Sequence, residues 1–87
     1  MQLHSFHKDN KNRELRFFCG YDEKLDYVFM CVYHNEELIF SNLDLENALE
    51  IKDFGIFIEI ALEQFDVILH DEHMSIIEYM NKKDNKD

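Results

Sequence analysis

The chain has 87 residues, of which 46% are hydrophobic and 14% aromatic, and its formal net charge is −10. A chain of this length supports one modest hydrophobic core, so we expect a single domain over residues 1–87. The apolar content excludes a disordered acidic tail, and the excess of carboxylates in the middle of the chain disfavours binding to nucleic acid or to an anionic membrane.

The N-terminal third of the chain predicts strands. Residues 1–12 are polar, with only two isolated apolar positions, and are expected to form a mobile arm or a ragged first strand. Residues 14–21 are rich in aromatic side chains, and residues 25–34 include an uncharged run from Tyr27 to Tyr33. Together with a short strand over 37–41, these segments predict an antiparallel meander, since the connections are short and polar.

The C-terminal part of the chain predicts helices. Asp53 suits the N-cap of a helix whose apolar residues recur at helical spacing as far as Phe65. A second helix is predicted over about 70–81, and residues 82–87 are expected to be a frayed tail. The predicted fold class is therefore α+β, with a three-stranded antiparallel meander followed by two helices packed on one face.

The central strand is predicted to be apolar on both faces. Tyr27, Phe29 and Tyr33 alternate with Val28, Met30 and Val32. Two short helices cover only one side of such a sheet. The other side is then covered by the N-terminal arm and the 41–52 linker, or it meets another chain, because a bare patch of three aromatic residues is unusual for a monomer.

Acidic residues dominate the middle of the sequence. Residues 25–80 contain thirteen acidic side chains and one basic side chain, Lys52. One explanation is solubility. The other is a partner with a basic surface, for which carboxylates gathered on one edge would imitate a row of phosphates. The residues expected on that edge are Glu36, Glu37, Asp44, Glu46, Glu50 and Asp53.

Signals for catalysis, metals or cofactors are weak. The candidate zinc ligands are two histidine pairs at i, i+3 spacing and two cysteines. They are His4 and His7, His70 and His73, Cys19 and Cys31. Without a CxxC motif we expect surface histidines instead of a metal site. Either cysteine beside His34 would make a thiol nucleophile, but a thiol among apolar strand residues is usually inert. We therefore expect no enzyme activity and no cofactor.

The expected location is the cytoplasm. The N-terminus has no apolar leader, and no apolar run approaches the length that crosses a bilayer. Two cysteines are too few for a disulfide scaffold, which favours a reduced protein with free thiols.

Two short motifs carry a family resemblance. Cys19-Gly20-Tyr21-Asp22 is followed by the apolar strand and then by Phe40-Ser41-Asn42-Leu43. In these motifs and in two closing helices, residues 19–80 resemble a group of short bacterial proteins found on plasmids, phages and other mobile elements. The resemblance implies the order of strands and helices. It also implies a context in which small acidic proteins look like inhibitors of host defence, among them anti-CRISPR proteins.

The functional expectation is a non-enzymatic protein that binds and blocks a basic, nucleic-acid-handling protein as a partial nucleic-acid mimic. Its partner-binding residues would be the six edge acids, with Tyr27, Phe29 and Tyr33 as anchors. The alternative is a homo-oligomeric structural or regulatory module, such as a homodimer, in which the charge serves only solubility.

Overall fold

The computed structural model describes residues 1–84 of the chain, which form a four-stranded antiparallel sheet and two helices. The strands lie side by side in chain order, and the elements are β1 (Gln2–Lys8), β2 (Glu14–Asp22), β3 (Tyr27–His34), β4 (Glu37–Ser41), α1 (Gly55–Phe65) and α2 (His70–Asp84). The α+β class is confirmed. The prediction of three strands is wrong, because the N-terminal segment supplies a fourth.

Strand β1 replaces the expected mobile arm and fits the other expectation for residues 1–12, a first strand. It pairs with β2 along its whole length, from Gln2 opposite Gly20 to Lys8 opposite Glu14. Its sequence gives little signal because its side chains are mostly polar, so it owes its order to the ladder with β2. At the other terminus, α2 extends beyond the predicted end at residue 81, and positions 85–87 of the predicted frayed tail lie outside the described residues.

The sharp turns are made almost entirely by Asn and Asp. The chain has two glycines and no proline, and neither glycine has a positive φ. Asn and Asp tolerate the left-handed region better than other side chains do, because their short polar groups bond to the local backbone. The non-glycine residues with positive φ are Asn12, Asp26, Asn35, Glu36, Asn47 and Asp66.

The hydrophobic core lies between one face of the sheet and the two helices. Register places Phe17 of β2 opposite Val32 of β3, and Cys19 opposite Met30, and all four side chains are fully buried. The Phe17 ring meets Phe65 of α1 edge to face, with centroids 6.0 Å apart. Fully burying a side chain of this size contributes about 1.5–3 kcal/mol, so this face supplies most of the folding energy.

Local hydrogen bonds set the bounds of α1. The predicted N-cap, Asp53, lies one residue before the cap position, and its Oδ1 accepts the Gly55 N–H at 2.8 Å. Asp66 ends the helix in a left-handed conformation, with φ of 57°, and its N–H donates to the Leu62 carbonyl at 3.1 Å. The chain then turns back into α2, so both helices lie on the same face of the sheet.

Candidate docking surface

The six predicted acids follow one side of the sheet. Strand β4 is the last strand in the sheet order, so the chain from its hairpin turn onward runs along that edge. Beyond β4, residues 42–52 continue beside β3, where the Val28 N–H donates to the Ile51 carbonyl at 2.8 Å. Each acid lies between residues 36 and 53 and is solvent-exposed: Glu36, Glu37, Asp44, Glu46, Glu50 and Asp53.

Apolar residues between these acids hold the edge segment in place. Ala48 is buried, and Leu45 and Ile51 pack partly buried against the core. The Ser41 hydroxyl accepts the Leu43 N–H at 3.2 Å and starts a short 3₁₀ turn. Leu43 and Leu49 remain exposed beside the acids, so the edge presents both carboxylates and apolar side chains to solvent.

The edge carboxylates have no ion-pair partners within the described part of the chain. Lys52 is the one basic residue between 25 and 80, and its ammonium lies 2.9 Å from Asp26. The hydrogen bond that Lys52 donates to Asp26, together with the negative charge of Asp26, raises the pKa of Lys52. None of the six acids forms a salt bridge with a described residue, so their charges are not neutralised locally.

Negative charge also covers the helices, whereas the β1 side of the sheet is different. Exposed acids lie on α1 and α2, for example Glu59, Glu63 and Glu78. Residues 1–13 carry three basic side chains and a single acidic one, Asp9, whose buried carboxylate bonds Arg13 at 2.8 Å. The β1 side of the sheet therefore carries a small excess of basic residues, in contrast to the acidic β4 edge.

The face of the sheet opposite the helices is open and aromatic. Tyr27, Phe29 and Tyr33 all lie on it, half-buried, and Phe29 meets Phe18 of β2 with ring centroids 5.3 Å apart. The guanidinium of Arg16 lies over the Tyr33 ring, 4.5 Å from its centroid. Strand β1 extends the sheet sideways and does not fold over this face, so of the two alternatives the covering by an N-terminal arm is not observed.

Sequence reasoning missed several residues of this open face. Phe6 of β1 and Leu38 of β4 are 64% and 50% exposed there. In β2, Arg16 and Phe18 alternate with buried apolar residues. This period-two pattern was the sequence signal that could have placed both residues on the open face. Phe6, Arg16, Tyr33 and Glu36 share one hollow of about 230 Å³.

The predicted residues are therefore only partly brought together. Glu36 and Tyr33 line the same hollow, at the hairpin end of the open face. Asp53 lies instead in a hollow beside α2, next to Phe54 and His73. The open face and the acidic edge meet at the β3–β4 hairpin, which is the place where one partner would contact both.

Glu36 occupies a backbone position that suits glycine. With Asn35 it forms the two-residue connection between β3 and β4, and both residues have positive φ, 49° and 69°, as a type I′ turn requires. Replacing Glu36 with Gly should therefore raise the free energy of unfolding by about 0.5–1 kcal/mol, measured by urea denaturation. Glu37→Gly, one residue later within β4, should lower it, and a stabilising effect of both changes would contradict the turn assignment.

A buried carboxylate connects α2 to β1. Glu72 is 7% exposed, and its Oε2 accepts the Ser5 hydroxyl at 2.7 Å and lies 2.5 Å from His7 Nε2. Burial raises the pKa of Glu72, but the hydrogen bonds with His7 and Ser5 together lower it by a larger amount. The pKa of Glu72 therefore lies below its ordinary value. Since both groups bond the same carboxylate oxygen, this arrangement anchors the helix and does not pair a nucleophile with a base.

The histidines and cysteines do not form a metal or thiol site within residues 1–84. His4 and His7 lie on opposite faces of β1, because neighbours three apart in a strand alternate. Burial, reinforced by the charge of Glu72, raises the pKa of Cys19 to about 12, which keeps that thiol protonated. Among residues 1–84 no three potential metal ligands come together, and both cysteines are free.

A membrane-spanning helix is absent from the described residues.

Comparisons with protein families, curated proteins and solved structures found no match to this chain. The resemblance to mobile-element proteins therefore stays a prediction. A function has to be inferred from the surfaces described above.

Proposed function

We propose that this is a small acidic binding protein that docks its β4 edge on a basic surface of a nucleic-acid-handling protein and blocks it. An anti-CRISPR or other anti-defence inhibitor would act in this way. The observation that carries the proposal is the row of exposed carboxylates between residues 36 and 53, none of which has an ion-pair partner among the described residues.

The charge density of the edge supports partial mimicry. Six of the eighteen residues from 36 to 53 are acidic. A strand rises about 3.3 Å per residue, so about 10 Å is an upper limit for the average spacing of these carboxylates, because two 3₁₀ turns shorten the segment after β4. Duplex DNA carries one charge per about 1.7 Å of its axis. The edge therefore suits discrete Lys and Arg side chains of the partner and does not reproduce a continuous duplex.

The hairpin end of the edge supplies the apolar part of the contact. Tyr33 lies next to Glu36 there, and Arg16 covers part of its ring. Long-range attraction between acidic and basic surfaces accelerates association and sets the register. Burial of an aromatic anchor slows dissociation, which is where most of the affinity differences between related complexes arise.

A pair of charge-matched variants tests the proposal. The edge variant carries Glu36→Gln, Glu37→Gln, Asp44→Asn and Glu46→Gln. The control variant carries Glu59→Gln, Glu63→Gln, Asp66→Asn and Glu78→Gln, and so has the same net charge. We expect wild type and control, immobilised at low salt, to retain a basic protein from a lysate of the native host. The edge variant should retain it at least tenfold less.

The retained protein provides the second measurement. Its binding to labelled nucleic acid should fall when wild type or control is added, and should be unaffected by the edge variant. Equal loss of retention in both variants would show non-specific attraction to acidic surfaces. Retention that does not weaken between low and moderate salt would remove the mimicry, because contacts between exposed charges are screened by salt.

A further inference from the structure

Strand β1 forms the second edge of the sheet. The hydrogen bonds at its two ends show which of its residues bond to β2. Met1 and Tyr21 exchange two backbone hydrogen bonds, of 2.9 and 3.0 Å, and beyond the other end the Asp9 N–H donates to the Arg13 carbonyl at 3.0 Å. In an antiparallel ladder such bonded pairs recur at every second residue. The odd-numbered residues of β1 therefore bond to β2.

The even-numbered residues of β1 consequently direct their backbone N–H and C=O groups outward. These residues are Gln2, His4, Phe6 and Lys8, and all four are solvent-exposed. No other described segment makes a backbone hydrogen bond to them. A seven-residue edge strand with unpaired groups is a template for another strand.

The sequence of β1 is complementary to itself. In an antiparallel pair centred on Ser5, each even residue lies opposite an even residue of the second copy. Phe6 then faces His4 of the second copy, and Lys8 faces Gln2 of the second copy. No two like charges are opposed, and the 64% exposed ring of Phe6 gains an imidazole neighbour, as Phe18 already has in His4 at 4.7 Å.

The surroundings of β1 leave space for this pairing. A hollow of about 290 Å³ runs between β1 and α2, lined by Leu3 and Ser5 on one side and by Asp71 and Ser75 on the other. Side chains of a second β1 that point toward the helices would occupy it.

The distribution of charge also selects this edge for self-association. Residues 1–13 carry three basic side chains, and their single acid, Asp9, is bonded to Arg13. Most of the net charge of −10 belongs to residues 25–80, on the β4 edge and the helices. Contact through β1 keeps the two acidic edges at opposite ends of the pair, where their repulsion is weakest.

From these observations we propose that two copies of the chain associate through antiparallel β1–β1 pairing to form a continuous eight-stranded sheet. The contact is isologous, so it closes as a dimer and does not propagate. It uses a different edge from the proposed docking function, although Phe6 also lines the hollow beside Tyr33 and Glu36, and it would display two acidic edges on one particle.

Size measurements on the purified protein, with any tag at the C-terminus, test the pairing. Sedimentation equilibrium at about 100 µM should give a dimer. Phe6→Pro removes one outward N–H and leaves the ladder with β2 intact, so it should weaken dimerisation at least tenfold. Leu38→Lys, which changes another exposed position on the open face, in β4, should leave the dimer unchanged.

Amide hydrogen exchange distinguishes this pairing from other dimers and from misfolding. The amides of His4, Phe6 and Lys8 should be protected only at dimer-forming concentrations, whereas those of Leu3 and Ser5 should be protected at all concentrations. Monomeric wild type at 100 µM would overturn the proposal. So would a dimer that is lost in Leu38→Lys but kept in Phe6→Pro.

Salt dependence separates this proposal from the docking proposal. Two copies of charge −10 repel, so added salt should strengthen the dimer. Docking on a basic partner should weaken under the same conditions. A dimer that dissociates as salt rises would contradict β1–β1 pairing, and would leave the test of the acidic edge unaffected.

Discussion

Replacing Phe17 with Ala should lower the free energy of unfolding by about 3–5 kcal/mol, the usual result of truncating a buried Phe. The side chain is fully buried, and its ring meets Phe65 of α1 at 6.0 Å and His7 of β1 at 5.4 Å, both edge to face. It thus joins three elements. Because small domains are stable by only about 5–15 kcal/mol, this loss removes a large share of the total stability.

Urea denaturation followed by circular dichroism measures this loss. Phe6→Ala is the matched control, since it removes the same ring from a position that is 64% exposed. We expect the control to change the free energy of unfolding by less than about 0.5 kcal/mol in the monomer. Similar losses in the two variants would contradict the assignment of the core to the helix-covered face of the sheet.

Replacing Glu72 with Gln should lower the free energy of unfolding by about 2 kcal/mol at neutral pH, because two hydrogen bonds to a charged, buried group are weakened. Ser5 and His7 would then bond a neutral amide in place of the carboxylate. Glu78→Gln is the control on the same helix, since Glu78 is exposed and its nearest basic group, Lys82, is 3.9 Å away.

The difference between wild type and Glu72→Gln should depend on pH in one direction. The pKa of Glu72 in the folded protein is lower than its ordinary value of 4.5. The charged carboxylate therefore stabilises the fold above about pH 4.5, and this stabilisation is lost as the pH falls through the folded pKa. Denaturation curves from pH 7 down to pH 3 should converge. A difference that widens in acid would show that Glu72 does not act as a stabilising carboxylate.

The proposed docking surface and the proposed dimer contact lie on opposite edges of one sheet. The β4 edge is acidic and exposed, and the β1 edge has basic residues and outward backbone groups. Phe6 belongs to both surfaces, because it lines the hollow with Tyr33 and Glu36 and faces His4 of the second copy in the proposed pair. A dimer would present two acidic edges to a partner, which increases the apparent affinity for any surface with two basic sites within reach.

Local composition determined the parts of the fold that depend on neighbours in sequence. The uncharged aromatic run predicts β3, and its alternation correctly separates buried Val28, Met30 and Val32 from the residues on the other face. The chain has two glycines and no proline, and five of the six positive-φ residues among those described are Asn or Asp. Such features are predictable because propensity and periodicity act over a few residues.

Only the tertiary structure decided the features that depend on distant pairing. Strand β1 is ordered by its ladder with β2, and Glu72 is buried because Ser5 and His7, more than sixty residues earlier, satisfy its charge. The sequence by itself places the six carboxylates close together along the chain, between residues 36 and 53. The meander makes β4 the outermost strand, and the packing of Leu45, Ala48 and Ile51 against the core holds the segment that carries most of these acids beside it.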